Sequence, residues 1–317
     1  MKISANGAGM MSEFIRNTGA IVQGRFVYLP ESMGAGFITG FSWGYDLRMM
    51  MRHYYVKEDI SVEWTKEPVE KQEHIMFLLS GVFPPLTQPS EQLFSERPNV
   101  LVCMQAVSAV IEMPSNIIFA SITLGVSRRY LHQLFGHIDH PVVAGVLNAG
   151  DNFILETSVS AEIIHIASEM LGQPVPGGIE SHYYKLKCEE LLCYVFSLLM
   201  EREDVPSGAI HLDDVKAIYA IKLHLQAHLG EPPNIALLAR NAAMSEPKLR
   251  KLFRQTFGKG VFEYYQYLRM EKAARLLKEK KMTVSEVGYE LGFTNLSHFS
   301  RVFEKYIGIK PKKYSAI

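Results

Sequence analysis

Eleven residues near the end of this 317-residue chain recur fifty positions later: Lys248-Leu249-Arg250-Lys251-Leu252-Phe253-Arg254-Gln255-Thr256-Phe257-Gly258 overlays His298-Phe299-Ser300-Arg301-Val302-Phe303-Glu304-Lys305-Tyr306-Ile307-Gly308. Both copies are apolar at i, i+3, i+4 and i+8: Leu249, Leu252, Phe253 and Phe257, then Phe299, Val302, Phe303 and Ile307. On an α-helix that spacing makes one stripe, which needs a core to bury it. The opposite face carries Lys248, Arg250, Lys251 and Arg254 in the first copy, and Ser297, His298, Arg301 and Lys305 in the second. A shorter helical run and a tight turn precede each copy: 235–242 before Ala243-Met244-Ser245, and 284–291 before Gly292-Phe293-Thr294. Ser245, and Thr294 or Asn295, offer a side-chain oxygen to an orphan amide at the start of the second helix. Pro247 is tolerated because it sits in a first turn, where no intrahelical bond is lost. Two helices joined by a three- to four-residue turn, the second with a basic outer face, describe a helix-turn-helix. A helix over 261–279, with Met270, Ala273, Ala274 and Leu277 on one face, joins the two copies.

Charge follows the same division. The net charge is zero, yet from Arg240 onward there are 17 Lys and Arg against 7 Asp and Glu. The preceding 239 residues hold 16 basic and 26 acidic side chains. A basic end on an acidic body is the electrostatic footprint of a nucleic-acid module carried on another domain. The 48% hydrophobic and 21% charged content is that of a folded globular protein of two or three domains, which excludes a disordered chain.

Before the repeat the periodicity is mixed. Residues from about 20 to 126 read as strands. Ile60-Ser61-Val62-Glu63-Trp64-Thr65 alternates with period two, and 47–56, 74–83, 99–112 and 116–126 are rich in β-branched, aromatic or Met residues. Gly34, Gly36, Gly40, Gly44, Pro84-Pro85 and Pro114-Ser115-Asn116 separate them as turn signals, and strands at this spacing suggest a sandwich or barrel. From Ser158 the period becomes helical, with one helix around 163–170 and another over 183–200, and a polar linker follows at 201–213. The expected class is α+β, divided into a β-rich domain 1–156, a helical segment 157–205 and an all-α domain 206–317.

Other chemistries find little support. Gly34-Ala35-Gly36-Phe37-Ile38-Thr39-Gly40 has its third glycine one place too late for a dinucleotide loop, and no helix follows it; it reads as a β-turn cluster. His132, His137, Asp139 and His140 fit no established metal spacing, and His224 and His228 are i, i+4 neighbours on a helix that needs no metal. Cys103, Cys188 and Cys193 are too few and scattered for a disulfide framework or a zinc site, so no cofactor is expected and a reducing compartment is. The longest apolar stretches, 100–111 and 191–200, fall short of the ~20 residues that span a bilayer. With no signal-peptide pattern at the N-terminus, a cytoplasmic location is the expectation.

The C-terminal segment resembles the AraC/XylS-type regulators from near His211 onward. The resemblance is carried by Leu268-Arg269-Met270, Ala273, Leu276-Leu277, Val284-Ser285-Glu286-Val287, Gly292-Phe293, Phe299-Ser300-Arg301, Phe303-Glu304-Lys305, Gly308-Ile309-Lys310-Pro311 and Tyr314. Three residues depart from the family's pattern: Gly288 where Ala is usual, Ser315 where Arg is usual, and Leu296 among contacts that are often polar. Gly288 is expected to loosen the second copy, since Gly costs about 1 kcal/mol in a helix interior. The resemblance implies a cupin-like β-barrel that binds a small effector of unknown identity, linker helices that form a homodimer, and an activator that works with RNA polymerase on double-stranded DNA. Residues 185–192 resemble the family's linker helix. DNA contacts are expected from Pro247, Lys248, Arg250, Lys251, Arg254, Leu296, Ser297, His298, Arg301 and Lys305, with Leu296 meeting a thymine methyl. The His-x-His and Glu signature of enzymatic cupins is absent, so a metal-dependent enzyme tethered to DNA is the alternative and not the expectation. A constitutive DNA-binder whose barrel only dimerises is the third reading.

Overall fold

Strands open the chain and helices close it. The structure, a computed structural model, describes residues 2–6, 10–65, 74–84, 86, 94–95, 97–104, 110–115, 117–150, 153–172, 175–202, 210–280 and 282–316. It divides into two units, Met1–Ala209 and Ile210–Ile317. Most of the expected polar linker, residues 203–209, lies outside the described residues. The first unit runs β1 (Lys2–Asn6), α1 (Met10–Thr18), β2 (Ile21–Gln23), β3 (Phe26–Tyr28), β4 (Gly34–Trp43), β5 (Leu47–Val56), β6 (Ile60–Thr65), β7 (His74–Ser80) and β8 (Phe94–Ser95). It continues with β9 (Asn99–Met104), β10 (Val110–Met113), β11 (Ile117–Ser127), α2 (Arg128–Phe135), α3 (Pro141–Leu147), β12 (Ile154–Thr157), α4 (Ala161–Gly172) and α5 (Gly177–Met200).

The main sheet is antiparallel along the order β12-β9-β7-β11-β5-β4-β3-β2, with β8 pairing in parallel with the start of β11. A smaller sheet joins β1, β6 and β10. Among the described residues no ladder joins β12 to β2, so hydrogen bonding does not close the main sheet into a ring. Strand β5 shows how alternation divides the interior. Leu47, Met49 and Met51 join the larger core, with Leu131, Phe135, Val142, Ile163, Leu191 and Phe196 from α2–α5. Tyr54 and Val56 join a smaller core with Phe14 of α1, Ile38 and Phe119.

Two features depart from the sequence reading. The glycines at 34, 36 and 40 are not a turn cluster but belong to β4, paired with β5 from Gly34↔Val56 to Trp43↔Leu47. A Cβ on Gly34 or Gly36 would collide with the carbonyl oxygens of Tyr55 and His53, so here glycine lets two backbones approach closely. Strand β1, helices α1, α2 and α3 and strand β12 are not among the expected elements. At seven or eight residues α2 and α3 are too short for periodicity to resolve. His140 caps α3, its Nδ1 accepting the Val142 N–H at 3.3 Å, while His132 and His137 point to solvent.

The second unit is helical throughout: α6 (Leu212–Ala227), α7 (Ile235–Asn241), α8 (Glu246–Phe257), α9 (Val261–Lys278), α10 (Val284–Glu290), α11 (Leu296–Ile307) and α12 (Pro311–Tyr314). Its core is built from its own helices, with Phe253, Tyr265, Phe299 and Phe303 fully buried together with Ile218, Leu249, Met270 and Leu277. Each large side chain so buried contributes about 1.5–3 kcal/mol. A fragment of residues 210–317 should therefore fold alone, with a helical circular-dichroism spectrum and one cooperative urea transition. A spectrum of disordered chain would show that this core needs the rest of the protein.

Candidate nucleic-acid interface

Helices of twelve residues such as α8 and α11 are marginal in water on their own, so caps and packing hold them. In the first copy the Asn234 Oδ1 accepts the Leu237 N–H at 3.1 Å to start α7. Ala243 then turns the chain at φ 51°, and the Ser245 Oγ accepts the Lys248 N–H to start α8. In the second copy Thr283 and Glu286 form a reciprocal capping box at the head of α10. Gly292 turns the chain at φ 76°, and the Asn295 Oδ1 accepts the His298 N–H at 3.0 Å. Of the two caps left open by the sequence, Asn295 is the one used. Gly258 and Gly308 close α8 and α11 in the left-handed region, where a residue without Cβ fits best. The helix starts Asn234 and Thr283 are 49 apart and Ser245 and Asn295 are 50 apart, so the second turn carries one extra residue.

Burying the apolar stripe turns the polar one outward. Pro247, Lys248, Arg250, Lys251 and Arg254 are exposed on α8, and Ser297, His298, Arg301 and Lys305 on α11. Counterparts at an offset of 50 match: 247 with 297, 248 with 298, and 251 with 301. Glu304 stands where the first copy has Arg254, so α8 carries more positive charge than α11. Lys248 pairs with Asp214 of α6 at 2.8 Å and Arg250 with Glu246 at 3.2 Å. Leu296 differs from the rest, being half-buried and turned toward Gly288. Leu296 and Phe299 pack closely over Gly288.

What holds the copies together comes from α9. Arg269 is 5% exposed, and its Nε donates to the Leu291 carbonyl, just past the end of α10, at 3.1 Å. Its Nη1 donates to Gln266, and the guanidinium lies 3.8 Å from the centre of the Phe293 ring in the turn. Burial holds its pKa below the usual guanidinium range. One helical turn earlier, the Tyr265 hydroxyl donates to the Leu229 carbonyl at 3.1 Å, at the approach to the first copy. Gly292 lies so near the Gly230 carbonyl that any Cβ there would collide. Sequence reasoning places Arg269 only within a family pattern. Its role depends on a carbonyl 22 positions away, which no local signal reports.

Residues 238–316 match a protein family described as a helix-turn-helix domain. Among curated proteins, the chain is 30% identical over 151 residues to the arabinose operon regulatory protein of Salmonella typhimurium, covering 47% of this chain and 53% of that protein. It is 34% identical over 88 residues to the HTH-type transcriptional regulator GbdR of Pseudomonas aeruginosa, covering 28% of this chain and 24% of that one. The chain thus spans about half the length of the arabinose regulator it matches, and less of GbdR. A solved transcriptional regulator of Chromobacterium violaceum with an AraC-type DNA-binding domain is 25% identical, with a TM-score of 0.31, over 32% of this chain and 91% of that one.

Arg269→Met keeps the aliphatic stem of the side chain and removes its donors. It should destabilise the second unit by about 1–3 kcal/mol, the cost of leaving a buried carbonyl unsatisfied. Urea denaturation followed by circular dichroism measures this, and an unchanged midpoint would mean that Arg269 does not hold the second turn.

Proposed function

We propose that residues 238–316, which match a helix-turn-helix family, are a DNA-binding domain of the AraC type, and that the chain is a sequence-specific transcription regulator binding double-stranded DNA. The observation that carries this reading is the match of exposed polar positions on α8 and α11, each opposite a buried aromatic stripe. Two such helices on one strut suit successive major-groove segments on one side of a duplex. Arg250, Lys251 and Arg301 meet base edges or adjacent phosphates, since a guanidinium can be bidentate to guanine. Pro247, Lys248, Arg254, Ser297, His298 and Lys305 line the backbone. Lys248, paired with the largely buried carboxylate of Asp214, exchanges that partner for phosphate. Leu296 meets a thymine methyl only with the part of its side chain that Gly288 does not cover.

The division of labour we propose is an effector domain over 1–156, a dimerising segment over 157–205 and the DNA-binding domain over 206–317. Support for the dimer comes from α5. Its buried side holds Tyr184, Cys188, Leu191, Leu192, Val195, Phe196 and Leu199. On the other side Ile179, Leu186, Cys193 and Met200 are exposed at seven-residue intervals, with Ile179 at 60% and Leu186 at 51%. An exposed residue of this kind every seven positions supplies one of the two apolar places per heptad of a helix–helix seam, and a second copy of the same helix is the occupant we assign to it. A small effector then acts by binding one arrangement of the dimer better than another, since equal affinity shifts nothing. Activation proceeds through RNA polymerase at the neighbouring promoter. Metal analysis of the purified protein separates this reading from a metal-dependent enzyme on a DNA tether.

Affinity for operator DNA, measured by fluorescence anisotropy, should fall steeply with salt as counterions are released. Arg301→Ala should cost about 1–3 kcal/mol at the specific site and relax preference at one base pair, whereas Lys312→Ala, in the last short helix, should at most weaken all sequences evenly. Salt-independent binding, or full selectivity in Arg301→Ala, would remove the two-reader assignment. Leu186→Glu should shift sedimentation from dimer to monomer while leaving the circular-dichroism spectrum unchanged. An unaltered dimer would place its interface elsewhere.

A further inference from the structure

The two copies differ where the second helix begins, and the difference is a matched pair. Gly288 is the fifth residue of α10 and is buried; Leu296 is the first residue of α11 and is half-buried. At the same places the first copy has Ala239, fifth in α7 and buried, and Glu246, first in α8. Glu246 turns its carboxylate to Arg250 at 3.2 Å along its own helix. In the second copy the residue on the first helix lacks a methyl group, and the residue opening the second helix is large and apolar.

Geometry explains the exchange. A Cβ at position 288 would lie 2.7 Å from Leu296 Cδ2 and 3.3 Å from Phe299 Cδ1, closer than carbon atoms pack. Phe299 is fully buried and fixes α11 to the core, so it has no room to yield. Leu296 does, because its far end is flexible and one side of it is open. Side chains on a helix lean over the turn N-terminal to them, which carries that of Leu296 back toward α10. Glycine is, after proline, the least favourable residue in a helix interior, so its place here has a local reason.

Resting on the DNA-binding reading, we propose that Leu296 is a positioning residue for the second reader, seated in a slot that exists because Gly288 has no side chain. It holds the first turn of α11 against α10 and thereby sets where Ser297, His298 and Arg301 meet the bases. The first copy seats its reader without such a slot, through Ser245 and a polar first residue. The expected thymine contact of Leu296 is therefore secondary to its seat.

The test is a cycle of full-length proteins: wild type, Gly288→Ala, Leu296→Ala and Gly288→Ala/Leu296→Ala. Each is used to select sites from randomised duplexes and is also denatured in urea. In Gly288→Ala the leucine leaves its slot, and discrimination among bases in the α11 half of the site should change by roughly tenfold while the α8 half is retained. Leu296→Ala should blur the same half by leaving the slot empty. In the double variant the methyl group introduced at position 288 occupies the vacated space and only its tight approach to Phe299 remains, so selectivity and urea midpoint should lie nearer wild type than the sum of the two single effects. Additive effects in the double variant, or single variants that select the wild-type site in both halves, overturn the proposal. A wild-type protein that selects no sequence overturns the DNA-binding reading and this inference with it, while the urea cycle still reports whether the two residues are coupled.

Discussion

The second unit depends on a buried guanidinium. Arg269 reaches from α9 to the carbonyl that follows α10, and its flat face lies beneath Phe293 in the turn to α11. A charge taken out of water is costly, and the partners that offset it here are a carbonyl, an amide and an aromatic face. What Arg269 contributes is geometry, because a planar donor fork fixes direction where an apolar side chain would only fill space. Tyr265, four residues earlier on the same helix, performs the matching task at Leu229. One face of one helix thus grips the approach to the first copy and the turn of the second. On the proposed function, two short helices that read a rigid duplex need such a common mount, since independent motion would lose the register between them.

Polarity of the reading face follows from burial of its opposite. Phe253 and Phe303 are withdrawn from water, and the helical period then leaves Lys251 and Arg301 outside. The copies are not equal. Helix α8 carries four Lys or Arg and one glutamate, against two and one on α11, which on the proposed function gives the first reader the greater hold on phosphates. The second copy has a glycine slot facing the start of α11 and a capping box at the head of α10.

In the first unit the sheet works as a divider. Period-two alternation in β5 supplies one core with methionines and the other with Tyr54 and Val56. Helix α5 serves twice, burying one stripe in the larger core and leaving another exposed along its length. On the proposed function, that second stripe is what a second copy covers.

Local order is legible in the residues themselves. Helices α7–α11 lie within a residue or two of where the pattern puts them, because an apolar stripe, an N-cap oxygen and a closing glycine all act within one or two turns of chain. The strand over 60–65 is visible for the same reason, as alternation is a property of neighbours, and that over 47–56 shows in its aromatic and Met content. Partners distant in sequence are not visible. The glycines of β4 read as turns because only the facing carbonyls of β5 show why a side chain is forbidden there. The short helices α2 and α3 draw their stability from the core they cover and not from their own pattern. Gly288 reads as a weakness because the residue that fills its space lies in the next helix. Spacing along one chain was enough to say which segments of the second unit are helices and which face of each is apolar. It could not say which carbonyl Arg269 holds, which carboxylate Lys248 meets or which side chain sits over Gly288. Each of those joins separate elements, and the chain acquires it only when the elements pack.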